Sequence, residues 1–183
     1  ISALLGPQAE VPRRWNMFRV DPPTPAPPPL PWIVPAEGWH WDAPPGGLML
    51  FVFYSRIAAQ GGGTLFVEGS HRLIGEHLVG LALAGREAGV RELRRGFLSA
   101  HPWIARLTGQ RERSVAGTEF MRPCADGDRG SLRVRQAVGL PGDVLICDSS
   151  IYHVKPVVHR GPPRVMSIKL VPRPAPAEEP DLP

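Results

Sequence analysis

The chain has 183 residues, enough for one domain around a single core, and its 43% hydrophobic content is that of an ordinary globular protein. Two cysteines exclude a disulfide framework, and no apolar run nears the roughly 20 residues that span a bilayer. The net charge of +4 comes from a chain with 19 Arg and 2 Lys, and the arginines are scattered rather than stacked in one stripe. That scatter reads as a compositional bias towards Arg, Ala, Gly and Pro, not as a nucleic-acid interface.

Cys147 lies in the apolar run Val144-Leu145-Ile146-Cys147 and is expected to be a buried free thiol. A cytosolic (cytoplasmic) setting is the simplest expectation for such cysteine usage. No signal peptide is visible, and the first residue is Ile1 rather than Met, as in a trimmed or incomplete chain.

In chain order, residues 1–20 read as an apolar start followed by mixed sequence. Residues 21–35 contain eight prolines, which lack the amide donor and fix φ, so an extended connector is expected there. Leu48-Met49-Leu50-Phe51-Val52-Phe53-Tyr54 suits a strand buried on both faces. Gln60-Gly61-Gly62-Gly63 reads as a flexible turn and Thr64-Leu65-Phe66-Val67 as a second strand, so the two strands are expected to form a hairpin. Glu68-Gly69-Ser70-His71 is a turn leading into a helix over residues 73 to about 95, with breaks expected at its glycines. A short helix follows, with Pro102 in its first turn and Gly109 at its end.

Beyond Gly109 the period changes to two. Leu132 and Val134 alternate with Ser131, Arg133 and Arg135 in a half-exposed strand, and Leu140-Pro141-Gly142-Asp143 is a tight turn. Residues 144–147 form a further buried strand, Ile151 and His153 share one strand face, and residues 164–171 are the last strand. The tail over residues 172–183 carries five prolines and is expected to be disordered. The fold class is mainly β with flanking helices, and the many short strands point to a double-sheet jelly roll.

Gly38-Trp39-His40-Trp41-Asp42 organises the chemistry. A histidine and an aspartate two residues apart on extended backbone point to the same side. They can take adjacent positions on a divalent metal, and a third ligand from elsewhere completes a facial triad with open coordination positions. A short motif of this kind also arises by chance, and a hydrogen-bonded loop histidine is the plain alternative for His40. In the last strand Arg164 shares a face with Met166, Ile168 and Leu170. An inward arginine must find an anion, and no acid near it in sequence offers one. A ligand carboxylate held by the guanidinium meets that need, and pairing with a protein carboxylate or reaching water are the alternatives. His153 and Arg164, on strands expected to lie side by side, then suit opposite ends of a small dicarboxylate.

Three stretches together resemble the phytanoyl-CoA dioxygenase family. They are the His40-x-Asp42 stretch, Gly62-Gly63-Thr64-Leu65-Phe66-Val67-Glu68-Gly69-Ser70-His71, and Pro141-Gly142-Asp143-Val144-Leu145 through His153 to Arg164. The resemblance covers residues of about 36–171, within a single domain. It implies a double-stranded β-helix (cupin-like jelly roll) and an enzyme dependent on iron(II) and 2-oxoglutarate. The iron ligands would be His40, Asp42 and His153, and Arg164 would bind the far carboxylate of 2-oxoglutarate. The implied reaction consumes O2, hydroxylates an unactivated C–H of a small-molecule substrate, and releases succinate and carbon dioxide; retention of Asp42 argues against halogenation. No nucleic acid or membrane partner is implied. Family members carry more chain ahead of the His-x-Asp pair, so the N-terminal part of the family domain is expected to be missing.

Thr64 shares a strand face with Phe66 and is a candidate hydroxyl for 2-oxoglutarate, or simply a β-branched strand residue. Trp39 and Trp41 either wall the pocket or only pack. His71 reads as structural, His77 and His101 as helix-associated, and His159, in a Pro/Gly-rich loop, as a weaker third ligand than His153. Two other classes share these features: a cupin-type metal-dependent isomerase or lyase without 2-oxoglutarate, and a non-catalytic binding protein on the same fold. The basic charge alone suggests a third, a nucleic-acid demethylase.

Overall fold

The computed structural model describes residues 1–9, 17–25, 34–35, 37–86, 89–109, 119–125, 131–158 and 161–174. Most of the proline-rich connector, His159 and the tail beyond residue 174 lie outside the described residues.

Two four-stranded antiparallel sheets carry the structure. One has the order β1 (Met17–Asp21), β8 (Arg164–Val171), β2 (Leu48–Phe53), β6 (Val144–Asp148). The other has β4 (Cys124–Ala125), β5 (Ser131–Gln136), β3 (Leu65–Glu68), β7 (His153–Val154). The helices are α1 (Ser2–Leu5), α2 (Ser70–Leu83), α3 (Val90–Ala100) and α4 (Pro102–Thr108). Among the described residues no helix is long and apolar enough to cross a membrane.

Two apolar clusters follow from the period of two in the strands. Met49, Phe51 and Phe53 of β2 meet Met166 of β8, Ile57 and Ala137, with Phe66 of β3 and Leu145 of β6 against them, so this cluster draws on both sheets. Leu65 and Val67 point the other way. With Leu132 and Val134 they meet Leu73 and Ile74 of α2, Phe97 of α3, and Ile104 and Leu107 of α4. β3 is therefore apolar on both sides because it has sheet on one and helix on the other.

The last strand, the short proline-led helix and the broken long helix fall where the sequence puts them. The break between α2 and α3 includes Gly85 at φ 62 and ends at Gly89, the cap of α3. Three expectations are corrected. β2 and β3 do not form a hairpin: β2 pairs with β6 and β8, β3 with β5 and β7, and the chain crosses between sheets over residues 54–64. Likewise His153 and Arg164 lie in different sheets, not on adjacent strands. β6 is an edge strand, so Val144 and Ile146 stand 47% and 45% exposed instead of being buried.

The glycine run in that crossing is tightly packed, not flexible. Gly61, Gly62 and Gly63 are all buried. A Cβ on Gly63 would sit 1.8 Å from the carbonyl oxygen of Ala137, and Gly62 has a φ of 76 with Val158 against it. Neither position can carry a side chain without moving backbone.

Ser70 joins the helical layer to β7. Its hydroxyl donates to the carbonyl of Val67 at 2.7 Å and accepts the amide of Tyr152 at 2.9 Å, fully buried. Replacing it with alanine leaves the Tyr152 N–H without an acceptor in a dry interior. Ser70→Ala should lower the unfolding free energy by about 1–3 kcal/mol. Urea denaturation checks this, and an unchanged midpoint would remove Ser70 from the list of structural supports.

Candidate metal centre

His40 sits one strand position from β7, outside the named strands. Its amide donates to the carbonyl of His153 at 2.9 Å, and the His153 amide donates back at 2.8 Å. The two imidazoles are thus direct cross-strand neighbours, with ring centroids 4.4 Å apart. Backbone alternation then turns Asp42 to the same side as His40. The Asp42 carboxylate lies 3.5 Å from His40 Nε2 through one oxygen and 3.6 Å from His153 Nε2 through the other. One donor atom from each of the three residues lies within 4.8 Å of the others.

This donor set can bind a divalent metal. His40 Nδ1 is 2.7 Å from the carbonyl oxygen of Gly38, and His153 Nδ1 is 2.9 Å from that of Ile151. A carbonyl only accepts, so in the neutral ring each Nδ1 carries the proton and each Nε2 presents its lone pair. An ionised carboxylate is an acceptor like each Nε2 lone pair, so Asp42 makes no hydrogen bond with either lone pair and both stay open to a cation. Burial, offset in part by the Ile151 carbonyl, holds the His153 imidazole below its ordinary protonation range, which favours the neutral ligand form.

Alternation settles the two tryptophans. Trp39 stacks on Tyr152 at 5.7 Å and its indole N–H donates to the Pro35 carbonyl at 2.7 Å. Trp41 meets Phe97 edge-on at 5.5 Å. Both pack against the helical cluster, on the opposite side of the backbone from His40 and Asp42. They anchor the ligand segment and do not line the cavity.

That cavity, of about 90 Å³, is lined by the three metal-donor residues together with Arg19, Phe51, Thr64, Lys155, Arg164, Met166 and Ile168. Thr64 and Arg164 therefore line the same cavity as the three candidate donors. His77 and His101 do not, since both rings pack on Phe97. His71 lies in the first turn of α2, away from the cavity lining.

Arg164 has a protein anion, the alternative that the sequence left open, supplied by a residue far from it in the chain. Asp21, its register partner on β1, accepts from Nε at 3.1 Å and from Nη2 on the same oxygen, and the Gly62 carbonyl accepts from Nη1. The other Asp21 oxygen accepts from Lys155.

Sequence reasoning also missed the clamp behind Asp42. Asp148 accepts from the Gly46 amide at 3.0 Å through one oxygen and from the amide and hydroxyl of Ser150 through the other. Ser149 donates to the Pro44 carbonyl at 2.7 Å. These bonds tie the loop that follows Asp42 to the end of β6. The available signal was Asp148-Ser149-Ser150 directly after a strand, a turn-forming set. Cys147, half-buried beside this clamp, has its thiol pushed up to about 12 by burial and then by the Asp148 and Asp42 charges. It stays protonated at neutral pH and adds no thiolate to the centre.

Compared with known proteins, the chain matches no family model, no curated protein and no solved structure.

The Asp21 pairing has a measurable sign. Burial raises its carboxyl pKa, but hydrogen bonds and charge from Lys155 and Arg164 outweigh that and hold it below its ordinary value. A depressed folded-state value contributes stability above the unfolded-state pKa and loses it as pH falls through the folded one. The stability difference between the native chain and Asp21→Asn should be flat above about pH 5 and shrink as pH falls below about 4. Urea titrations at several pH values test this; a difference that widens on acidification would contradict the pairing.

Proposed function

We propose that the protein is an iron(II)- and 2-oxoglutarate-dependent dioxygenase of the phytanoyl-CoA dioxygenase type, hydroxylating a small organic substrate. One observation carries this reading: two imidazoles, one carboxylate and a buried arginine face a single small cavity, with Phe51, Met166 and Ile168 as its apolar wall and Arg19, Thr64 and Lys155 as its other lining. Arginine and a hard-donor metal triad are the two fittings that a keto-diacid needs at its opposite ends.

The strand order supports a jelly roll for this fold. From β1 the chain moves to the His40 stretch beside β7, back to β2, across to β3, β4 and β5, back to β6, across to β7, and back to β8. Repeated crossing between two four-stranded antiparallel sheets is what a double Greek key would require, and it supports that reading.

His40, Asp42 and His153 would hold the iron. Bound there, it would supply the redox chemistry that couples decarboxylation of 2-oxoglutarate by O2 to oxidation of a C–H bond. The chain's own residues do the rest. Arg164 grips the far carboxylate, and the Thr64 hydroxyl, in the same lining, offers a further hydrogen bond. Phe51, Met166 and Ile168 keep water away from the reacting centre. The substrate class is a small molecule, and neither nucleic acid nor a membrane enters the reading.

The test is anaerobic titration with Fe(II), followed by aerobic turnover with 2-oxoglutarate scored as succinate. Native protein should bind Fe(II), and Asp42→Ala and His153→Ala should each weaken binding by more than about 100-fold and abolish succinate release. Full turnover in Asp42→Ala would remove that carboxylate from the centre.

The carboxylate already on Arg164 favours a second reading, a cupin-type metal-dependent isomerase or lyase that does not use 2-oxoglutarate. The two part on one measurement: metal-loaded protein that shows no melting shift with 2-oxoglutarate belongs to the second.

A further inference from the structure

The guanidinium of Arg164 is 1% exposed, and its five N–H groups can be followed one by one. Nε–H and one N–H of Nη2 go to Oδ2 of Asp21, and one N–H of Nη1 goes to the Gly62 carbonyl. Nε and Nη2 form the side edge of the planar fork. Among the described residues, one N–H on Nη1 and one on Nη2 remain, and those two nitrogens make up the terminal edge. Asp21 is not among the residues that line the cavity, whereas Arg164 and Lys155 both are. Its carboxylate is therefore outside the lining that the two cations share. Arg164 and Lys155 against the one Asp21 carboxylate leave one net positive charge, and Arg19 shares the same lining, so this part of the cavity suits a carboxylate.

We propose that Asp21 is a positioning residue, which grips Arg164 by its side edge and tethers Lys155 so that the terminal edge of the fork is presented to a carboxylate in the cavity. The inference rests on the reading above that a keto-diacid binds there. It assigns a role to β1, which pairs with β8 so that Asp21 stands directly opposite Arg164. A buried arginine without that partner would retain its charge but lose its fixed plane, and bidentate recognition depends on the plane.

The experiment compares two probes on anaerobic Fe(II)-loaded protein: 2-oxoglutarate, and 2-oxobutyrate, a keto acid with no second carboxylate. Asp21→Asn should weaken 2-oxoglutarate about tenfold while leaving 2-oxobutyrate within about twofold, and Asp21→Glu, which keeps the charge, should recover part of the loss. If Asp21→Asn does not stay folded at the titration temperature, Asp21→Glu against Lys155→Met carries the same two-probe comparison. Equal losses on both probes would mean a general structural role and overturn the inference, as would unchanged or tighter 2-oxoglutarate binding in Asp21→Asn. Failure of the native chain to bind 2-oxoglutarate at all, with Fe(II) bound, would instead overturn the co-substrate reading and this inference with it.

Discussion

The candidate centre depends on one reciprocal pair of backbone hydrogen bonds, between His40 and His153. These bonds fix the register between a proline-flanked segment and a two-residue strand, neither of which has regular structure to spare. A slip of the His40 segment by one residue would turn His40 and Asp42 to the helical side and bring Trp39 or Trp41 into the cavity, because side chains alternate along extended backbone. Everything that stabilises this register therefore also stabilises the centre. Trp39 on Tyr152, Trp41 on Phe97, the Ser70 bridge and the Asp148 clamp all act on it from different directions.

The centre itself is electrostatically divided. One end gathers lone pairs and a carboxylate, suited to a cation. The other gathers Arg164 and Lys155, suited to an anion, with Asp21 paired to both. Phe51 of β2 and Met166 and Ile168 of β8 share the lining with both sets of charges. A cation at the first end and an anion at the second complement this arrangement.

Much of the fold was legible because local signals agreed with the final structure. β5 alternates as a half-exposed strand should, α4 has proline at its start and glycine at its end, and the helix break follows its glycines. The metal-donor set was legible because His40 and Asp42 are close in sequence and His153 lies on a clear strand face. β1 was not. In Met17-Phe18-Arg19-Val20-Asp21 the apolar Phe18 and Val20 are 63% and 59% exposed, while Arg19 lines the cavity and Asp21 pairs with Arg164. That inverts the usual pattern of apolar inside and charged outside, so the period gives the strand with the wrong face inward, and Asp21 is hidden with it. The sheet crossing was hidden for another reason. β2 and β3 are both apolar enough to be hairpin partners, and their true partners lie far along the chain.

The pairing of β1 with β8 joins the first described strand to the last. During synthesis, the cationic end of the cavity cannot exist until the last described strand has left the ribosome, although both candidate donors of the His40–Asp42 pair emerge early. Contacts spanning so much of the sequence are slow to form, because the loop between them must close first. Until that closure the early strands present unmatched edges, and the growing chain is at its most vulnerable to sticking to its neighbours.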